Sequence, residues 1–212
     1  MHIVITGANR GIGLALADRF RDRGDDVTGT ARDESAQVRL DVSNPEQQAA
    51  MAGQLKGQPI DLLICNAGVY LDKGQSIDGY PADMWAESFA VNVTGVFLTV
   101  QSLLPNLRAA QGKIAIISSQ MASHTRAPGG SYIYRASKAA ALNLGRNLAA
   151  DLKSDGIAVG IYHPGWVQTD MGGSAAAINV DQAATGLIDR FEALSLDATG
   201  CFETYDGQPH AY

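Results

Sequence analysis

Tyr134 and Lys138 stand four residues apart in Tyr134-Arg135-Ala136-Ser137-Lys138, inside a long alanine-rich segment. On a helix, residues four apart share one face, so the phenol and the ammonium point the same way. A free tyrosine ionises near ~10. A fixed cation beside it favours the phenolate and draws the pKa toward neutrality, which suits a general acid or base. Tyr132 competes for that role, but Ala136 stands four residues beyond it and no lysine shares its face. A second chemical feature opens the chain. His2-Ile3-Val4-Ile5-Thr6 reads as a strand, followed by Gly7-Ala8-Asn9-Arg10-Gly11-Ile12-Gly13 and an amphipathic run through Gly24. A strand, a glycine-rich turn and a helix start make an anion site, because glycines let the backbone approach a pyrophosphate and the free N–H groups point at it. The spacing of Gly7, Gly11 and Gly13 is not the G-x-G-x-x-G of the commonest dinucleotide fingerprint.

The elements that must hold these residues alternate in type. Apolar runs of strand length cover residues 2–6, 26–31, 38–41, 60–65, 113–118, 157–162 and 199–204. Helical periodicity covers roughly residues 12–23, 45–55, 84–109, 132–153 and 181–194. Such alternation predicts an α/β fold, a doubly wound parallel sheet of about seven strands with helices on both faces. Asn44-Pro45 reads as an N-cap followed by proline in the first turn, and Asp181 as another cap. Only Arg32 to Gln37 separate the second and third strands, too short for a crossover helix. The stretch from Asp170 to Asn179 is rich in small residues and is read, over residues 170–180, as a mobile substrate lid without a large anchor.

At 212 residues the chain suits one well-buried domain. Charged residues make up 18% and apolar ones 46%, a globular profile. A net charge of −6 without a basic cluster argues against a nucleic-acid partner. The N-terminus enters a strand at once, and no apolar run approaches the ~18 residues of a membrane span, so a cytoplasmic location is expected. Cys65 and Cys201 read as reduced thiols in strands. His2, His124, His163 and His210 have no ligand spacing, so no metal site is expected.

Thr6-Gly7-x-x-x-Gly11-x-Gly13 followed by Tyr134-x-x-x-Lys138 resembles the classical short-chain dehydrogenases/reductases, and further markers follow in order along nearly the whole chain. The resemblance implies a single-domain Rossmann fold that binds a nicotinamide cofactor and transfers hydride to or from a small carbonyl or alcohol. Within the glycine turn it implies cofactor contacts from Asn9, Arg10 and Ile12 beside Gly7, Gly11 and Gly13. Asp41-Val42 looks like the family's adenine-contacting pair, and Asn66-Ala67-Gly68 like its strand-4 motif. Asn92 matches the helix asparagine that positions a water linking Lys138 to solvent. Ser118-Ser119 ends the fifth strand, where the resemblance favours the second serine as the donor to the substrate oxygen. Pro164-Gly165-x-Val167-x-Thr169 matches the segment that meets the nicotinamide. Tyr134 would then be the acid, and Lys138 would hold the nicotinamide ribose while lowering the tyrosine pKa.

The residue at the end of strand 2 decides between a ribose hydroxyl and a 2′-phosphate. By resemblance, Ala31 stands where NAD-preferring members carry an acid, and Arg32 where NADP-preferring members carry arginine. Arg10 adds a second cation, so NADP(H) is favoured over NAD(H). Asp33, about 20 residues past Gly13, is the alternative residue to face the ribose. The long helices 84–109 and 132–153 imply a homodimer or homotetramer. The Tyr-x-Tyr-Arg-x-Ser-Lys segment also looks similar to the C-factor-like subgroup, which leaves a second reading: a nucleotide-binding signalling protein without significant turnover.

Overall fold

The computed structural model describes residues 1–212. Seven strands form one parallel sheet: β1 (His2–Thr6), β2 (Asp26–Ala31), β3 (Val38–Arg39), β4 (Leu62–Cys65), β5 (Lys113–Ile117), β6 (Ala158–His163) and β7 (Phe202–Thr204). Their order is β3-β2-β1-β4-β5-β6-β7, so the chain reverses direction across the sheet between β1 and β4. At such a switch point the loops leave in opposite directions and open a crevice beyond the strand ends. Helices α1 (Gly11–Asp22), α2 (Pro45–Gln54), α3 (Ala82–Phe89), α4 (Gly95–Ala110), α5 (Tyr132–Leu152) and α6 (Val180–Ala193) cover the two faces.

Side-chain alternation splits the strands between two cores. Val4, Leu63, Ile114 and Ile161 face one cluster with Leu103 of α4 and Leu142 of α5. Ile3, Ile5, Ile64 and Tyr162 face the other, with Leu16 and Phe20 of α1 and Phe191 of α6. Strands buried on both sides account for the continuous apolar runs in the sequence.

The link between β2 and β3 carries no helix, and a six-residue loop suffices because β3 is so short. It pairs only at Thr30↔Val38 and Ala31↔Arg39, so the chain returns past just the last two residues of β2. Asn44 caps α2 as its sequence predicts, accepting from Gln47 N at 2.9 Å. The cap of α6 is Asn179 rather than Asp181: Asn179 accepts from Gln182 N while the Gln182 side chain accepts from Asn179 N, a reciprocal capping box. Asp181 falls in the first turn and pairs with Arg19 of α1 at 3.1 Å.

The single helix expected over 84–109 is broken by a π-helical turn at Ala90–Thr94. The wider turn carries Asn92, 1% exposed, into the interior at the switch-point crevice. The full stretch Ala82–Ala110 is, by length and composition alone, apolar enough to cross a membrane, contrary to the expectation from the sequence. Here Val96, Val100, Leu103 and Leu107 place it in the core against the sheet.

Candidate active site

The crevice at the switch point has a volume of about 710 Å³ and is walled by the glycine turn, the ends of β2 and β4, the first turns of α5 and the segment after β6. Gly7 (φ +68°) and Gly11 (φ +53°) take left-handed backbone, which L side chains rarely adopt. Gly13 serves packing instead: a Cβ there would stand 2.1 Å from the Gly7 carbonyl oxygen and 2.5 Å from Asn66 Nδ2. The first turn of α1 contains no acid and receives no side-chain cap, so its N–H groups are left for an anion. Asn66 stitches the floor, donating from Nδ2 to the carbonyls of Thr6 and Gly7, both at 3.0 Å. Thr6 Oγ1 accepts in turn from the amides of Asn66 and Ala67. This cradle of small residues and unclaimed N–H donors fits a dinucleotide pyrophosphate.

At the end of β2 Ala31 is buried, and both Arg32 and Asp33 line the crevice. Asp33 is engaged: it accepts from the Ser35 hydroxyl and amide and, at 3.1 Å, from Asn9 Nδ2. The Ser35 bonds chiefly hold its carboxyl below the usual range, with Arg32 adding to them. Arg32 makes no ion pair. Asp41 and Val42 line the same end, where burial would raise the Asp41 pKa but the Ser43 hydroxyl and amide hold it low. Arg10 reaches across the mouth to Asp170 at 3.0 Å, so it is not an unpaired second cation.

Tyr134 and Lys138 both line the inner wall and are 8% and 5% exposed. Burial pushes the Tyr134 phenol up to about 12; the Ser119 hydroxyl opposes this, while Tyr70 and Asp72 add to it. Lys138, on the same helix face, is pushed down to about 8 by burial. Its Nζ lies 5.8 Å from the Tyr134 ring centre and donates to the Ile117 carbonyl at 3.0 Å. The lowering of the tyrosine pKa expected from this lysine is not found: only the Ser119 hydroxyl lowers it, and desolvation outweighs that. Tyr132 is 41% exposed and packs edge-on against Tyr80, away from the crevice.

The two serines are separated by their bonds. Ser118 Oγ donates to the Lys138 carbonyl at 3.1 Å, tying β5 to α5. Ser119 Oγ accepts from Met121 N and retains its own proton for donation. Both N–H donors of Asn92 are used, Nδ2 donating to Val69 O and Ser137 Oγ, while Oδ1 accepts from Val69 N, all within 3.0 Å. The second lone pair of Oδ1 is left for a water. Gly68 gives it room, since a Cβ there would lie 3.1 Å from Asn92 Oδ1 and 3.3 Å from Lys138 Nζ.

Pro164 and Thr169 line the crevice, whereas Gly13, Asn92, Ser119 and Val167 do not. Val167 is buried and bridges to Ile178, which folds the segment after β6 back on itself. Within residues 170–180, Gly172 O accepts from Trp166 Nε1 at 2.9 Å and Met171 O from Lys73 Nζ at 3.3 Å. The loop after β4 supplies residues that sequence reasoning missed, Tyr70 and Asp72 above all. Tyr70 stacks on Tyr134, and Asp72 accepts from the amides of Ile133 and Tyr134. No local pattern marks either contact, because each joins residues more than 60 positions apart.

The short chain dehydrogenase family model matches residues 1–179. The chain is 32% identical over 222 residues to 1-hydroxy-2-glutathionyl-2-methyl-3-butene dehydrogenase of Rhodococcus sp. (strain AD45), covering 97% of this chain and 96% of that protein. It is 37% identical over 151 residues to the C-signal of Myxococcus xanthus, covering 70% and 90%. Among solved structures, NADPH-bound carbonyl reductase from chicken fatty liver superposes with a TM-score of 0.91 at 30% identity, over 100% of this chain and 98% of that one. Carbonyl reductase Sniffer of D. melanogaster gives 0.92 at 26% identity, over 100% and 99%. With the strand order, the glycine cradle and the Tyr134–Lys138 wall already in place, these matches show that the chain belongs to the short-chain dehydrogenase/reductase family of nicotinamide-dependent oxidoreductases.

Proposed function

We propose that the protein is an NADP(H)-preferring carbonyl reductase or alcohol dehydrogenase acting on a small substrate, with Tyr134 as its general acid and base. The observation that carries this reading is the burial of Tyr134 beside Lys138 on the crevice wall, with the Ser119 hydroxyl bearing on the phenol. The glycine turn, Asn9, Ile12, Asp41-Val42, Asn66-Ala67-Gly68, Pro164, Val167 and Thr169 would hold the cofactor, directly or by shaping the wall. When bound, the cofactor supplies or accepts the hydride. Tyr134 gives its proton to the carbonyl oxygen in reduction and takes it back in oxidation. Ser119 donates to the same oxygen, and Lys138 holds the ribose with its ammonium. Arg32, unpaired at the adenine end, favours a 2′-phosphate. In this reading the protein is a cytoplasmic enzyme working on a small molecule, as a homodimer or homotetramer.

Similarity to the C-signal supports a second reading, a nucleotide-binding signalling protein without significant turnover. The presence of all four catalytic residue types, Asn92, Ser119, Tyr134 and Lys138, favours turnover. NADPH consumption across a broad panel of aldehydes and ketones decides between them. Tight NADPH binding with no carbonyl reduced would establish the signalling reading.

A further inference from the structure

Helix α5 begins without a cap of its own. Gly129, Gly130 and Ser131 take left-handed backbone in succession, at φ +86°, +68° and +49°, and the Ser131 side chain makes no capping bond. No acid stands in the first turn. The four leading N–H groups of a helix need acceptors, and a buried start without them is costly. The acceptor comes from elsewhere. Asp72, in the loop after β4, is 0% exposed and accepts from Ile133 N at 2.9 Å and from Tyr134 N at 3.2 and 3.4 Å. Two residues earlier Tyr70 lays its ring on that of Tyr134, with centroids 4.2 Å apart, and its hydroxyl bonds Ser131 Oγ.

We propose that Asp72 is the positioning residue of the active site: its buried carboxylate replaces the missing N-cap of α5 and thereby fixes the place of the Tyr134 phenol. This rests on the reading of Tyr134 as the acid. A full negative charge is a better cap than a serine hydroxyl, because it interacts with the positive end of the helix dipole as well as with individual N–H groups. Asp72 has no cation to neutralise it: it appears in no ion pair, and the neighbouring Lys73 turns its ammonium to the Met171 carbonyl. The groups around the phenol are Tyr70 and Asp72 from the loop after β4, Ser119 from the end of β5 and Lys138 from α5. Burial does most to oppose formation of the phenolate, and Tyr70 and Asp72 add to it.

The test uses Asp72→Asn and Asp72→Glu in the NADP(H) complex, with Tyr134→Phe to identify the tyrosine signal. Asp72→Asn is expected to keep NADPH affinity within about threefold and KM little changed, and to lose about 10–100-fold in kcat. The ionisation of Tyr134, followed by 13C-tyrosine NMR and by the pH profile of kcat, moves to lower pH in Asp72→Asn and back toward wild type in Asp72→Glu. A variant that merely melts earlier while keeping wild-type kcat and Tyr134 ionisation overturns the proposal. Should Asp72→Asn not fold, Asp72→Glu decides: its carboxylate is displaced by one methylene, so kcat must fall while the ionisation stays near wild type, and an unchanged kcat overturns the proposal. If Tyr134→Phe itself remains active, the acid has been misassigned, yet the NMR titration still reports whether Asp72 governs that phenol.

Discussion

Lys138 donates its ammonium proton to the Ile117 carbonyl at 3.0 Å, which ties the second turn of α5 to the end of β5. The bond places the cation on the crevice wall and near Gly68, where a Cβ would lie 3.3 Å from its Nζ. Burial then acts on both partners in the same sense, disfavouring the charged form of each: the lysine is pushed down to about 8 and Tyr134 up to about 12. Both effects lie on the link between packing and chemistry, and the lysine's has a consequence for stability that can be measured without substrate.

The folded pKa of Lys138 lies below its unfolded value of 10.5, so between about 8 and 10.5 the unfolded state binds the extra proton. Stability therefore rises with pH through that window, and the full burial penalty, on the order of 3 kcal/mol, is present below pH 8. Lys138→Met removes the penalty but leaves the Ile117 carbonyl without its donor, at about 1–3 kcal/mol. In the absence of cofactor the variant should melt at or above the wild-type temperature at pH 7, and its margin over wild type should fall steadily from pH 8 upward. Its NADPH affinity and turnover should both be lost. Thermal melts across that pH range that run parallel for the two proteins would refute the buried-charge account.

Arg32 and Asp33 sit side by side at the adenine end, but Asp33 is bound to Asn9 and Ser35 while Arg32 pairs with nothing. Arg32→Asp should weaken NADPH by about 1.5–3 kcal/mol, the worth of a charge-assisted phosphate contact, and leave NADH almost unchanged. Dissociation constants for both nucleotides check this. An unaltered ratio would remove Arg32 from the cofactor site.

The sheet was legible because strands buried on both faces read as continuous apolar runs, and β1 and β2 stand where those runs do. The Tyr134–Lys138 wall was legible because both residues lie on one helix with a fixed period. The π-turn was not, since a single wide turn at Ala90–Thr94 leaves the composition of a helix intact. Nor was the hold of Asp72 on α5, because a contact between residues 61 positions apart leaves no periodic trace. Lys138 misled for a related reason: spacing gives its face but not its burial, and burial decides the sign of the pKa shifts.

On the outer side of α4, Phe97 is 42% exposed and Leu98 is half-buried. An exposed aromatic of this kind on a long helix fits burial against a second copy. Light scattering at micromolar concentration should return a dimer or tetramer mass, and Phe97→Glu should shift it toward monomer. A clean monomer mass for wild type would exclude the association.

Tyr134→Phe deletes one hydroxyl and keeps the ring that stacks on Tyr70, so folding and NADPH affinity should survive. Hydride transfer should not, because general acid–base groups contribute about 10²–10⁴-fold. The loss should appear in kcat rather than KM, since the proton is needed in the transition state and not for binding. Tyr132→Phe is the matched control: it removes the same group two residues away, from a side chain that packs on Tyr80 outside the crevice, and it should retain near wild-type activity. Steady-state reduction of a carbonyl panel with NADPH, run on both variants, separates the two phenols. The opposite pattern, an active Tyr134→Phe and an inert Tyr132→Phe, would assign the acid to the outer tyrosine and require α5 to turn by about half a circumference.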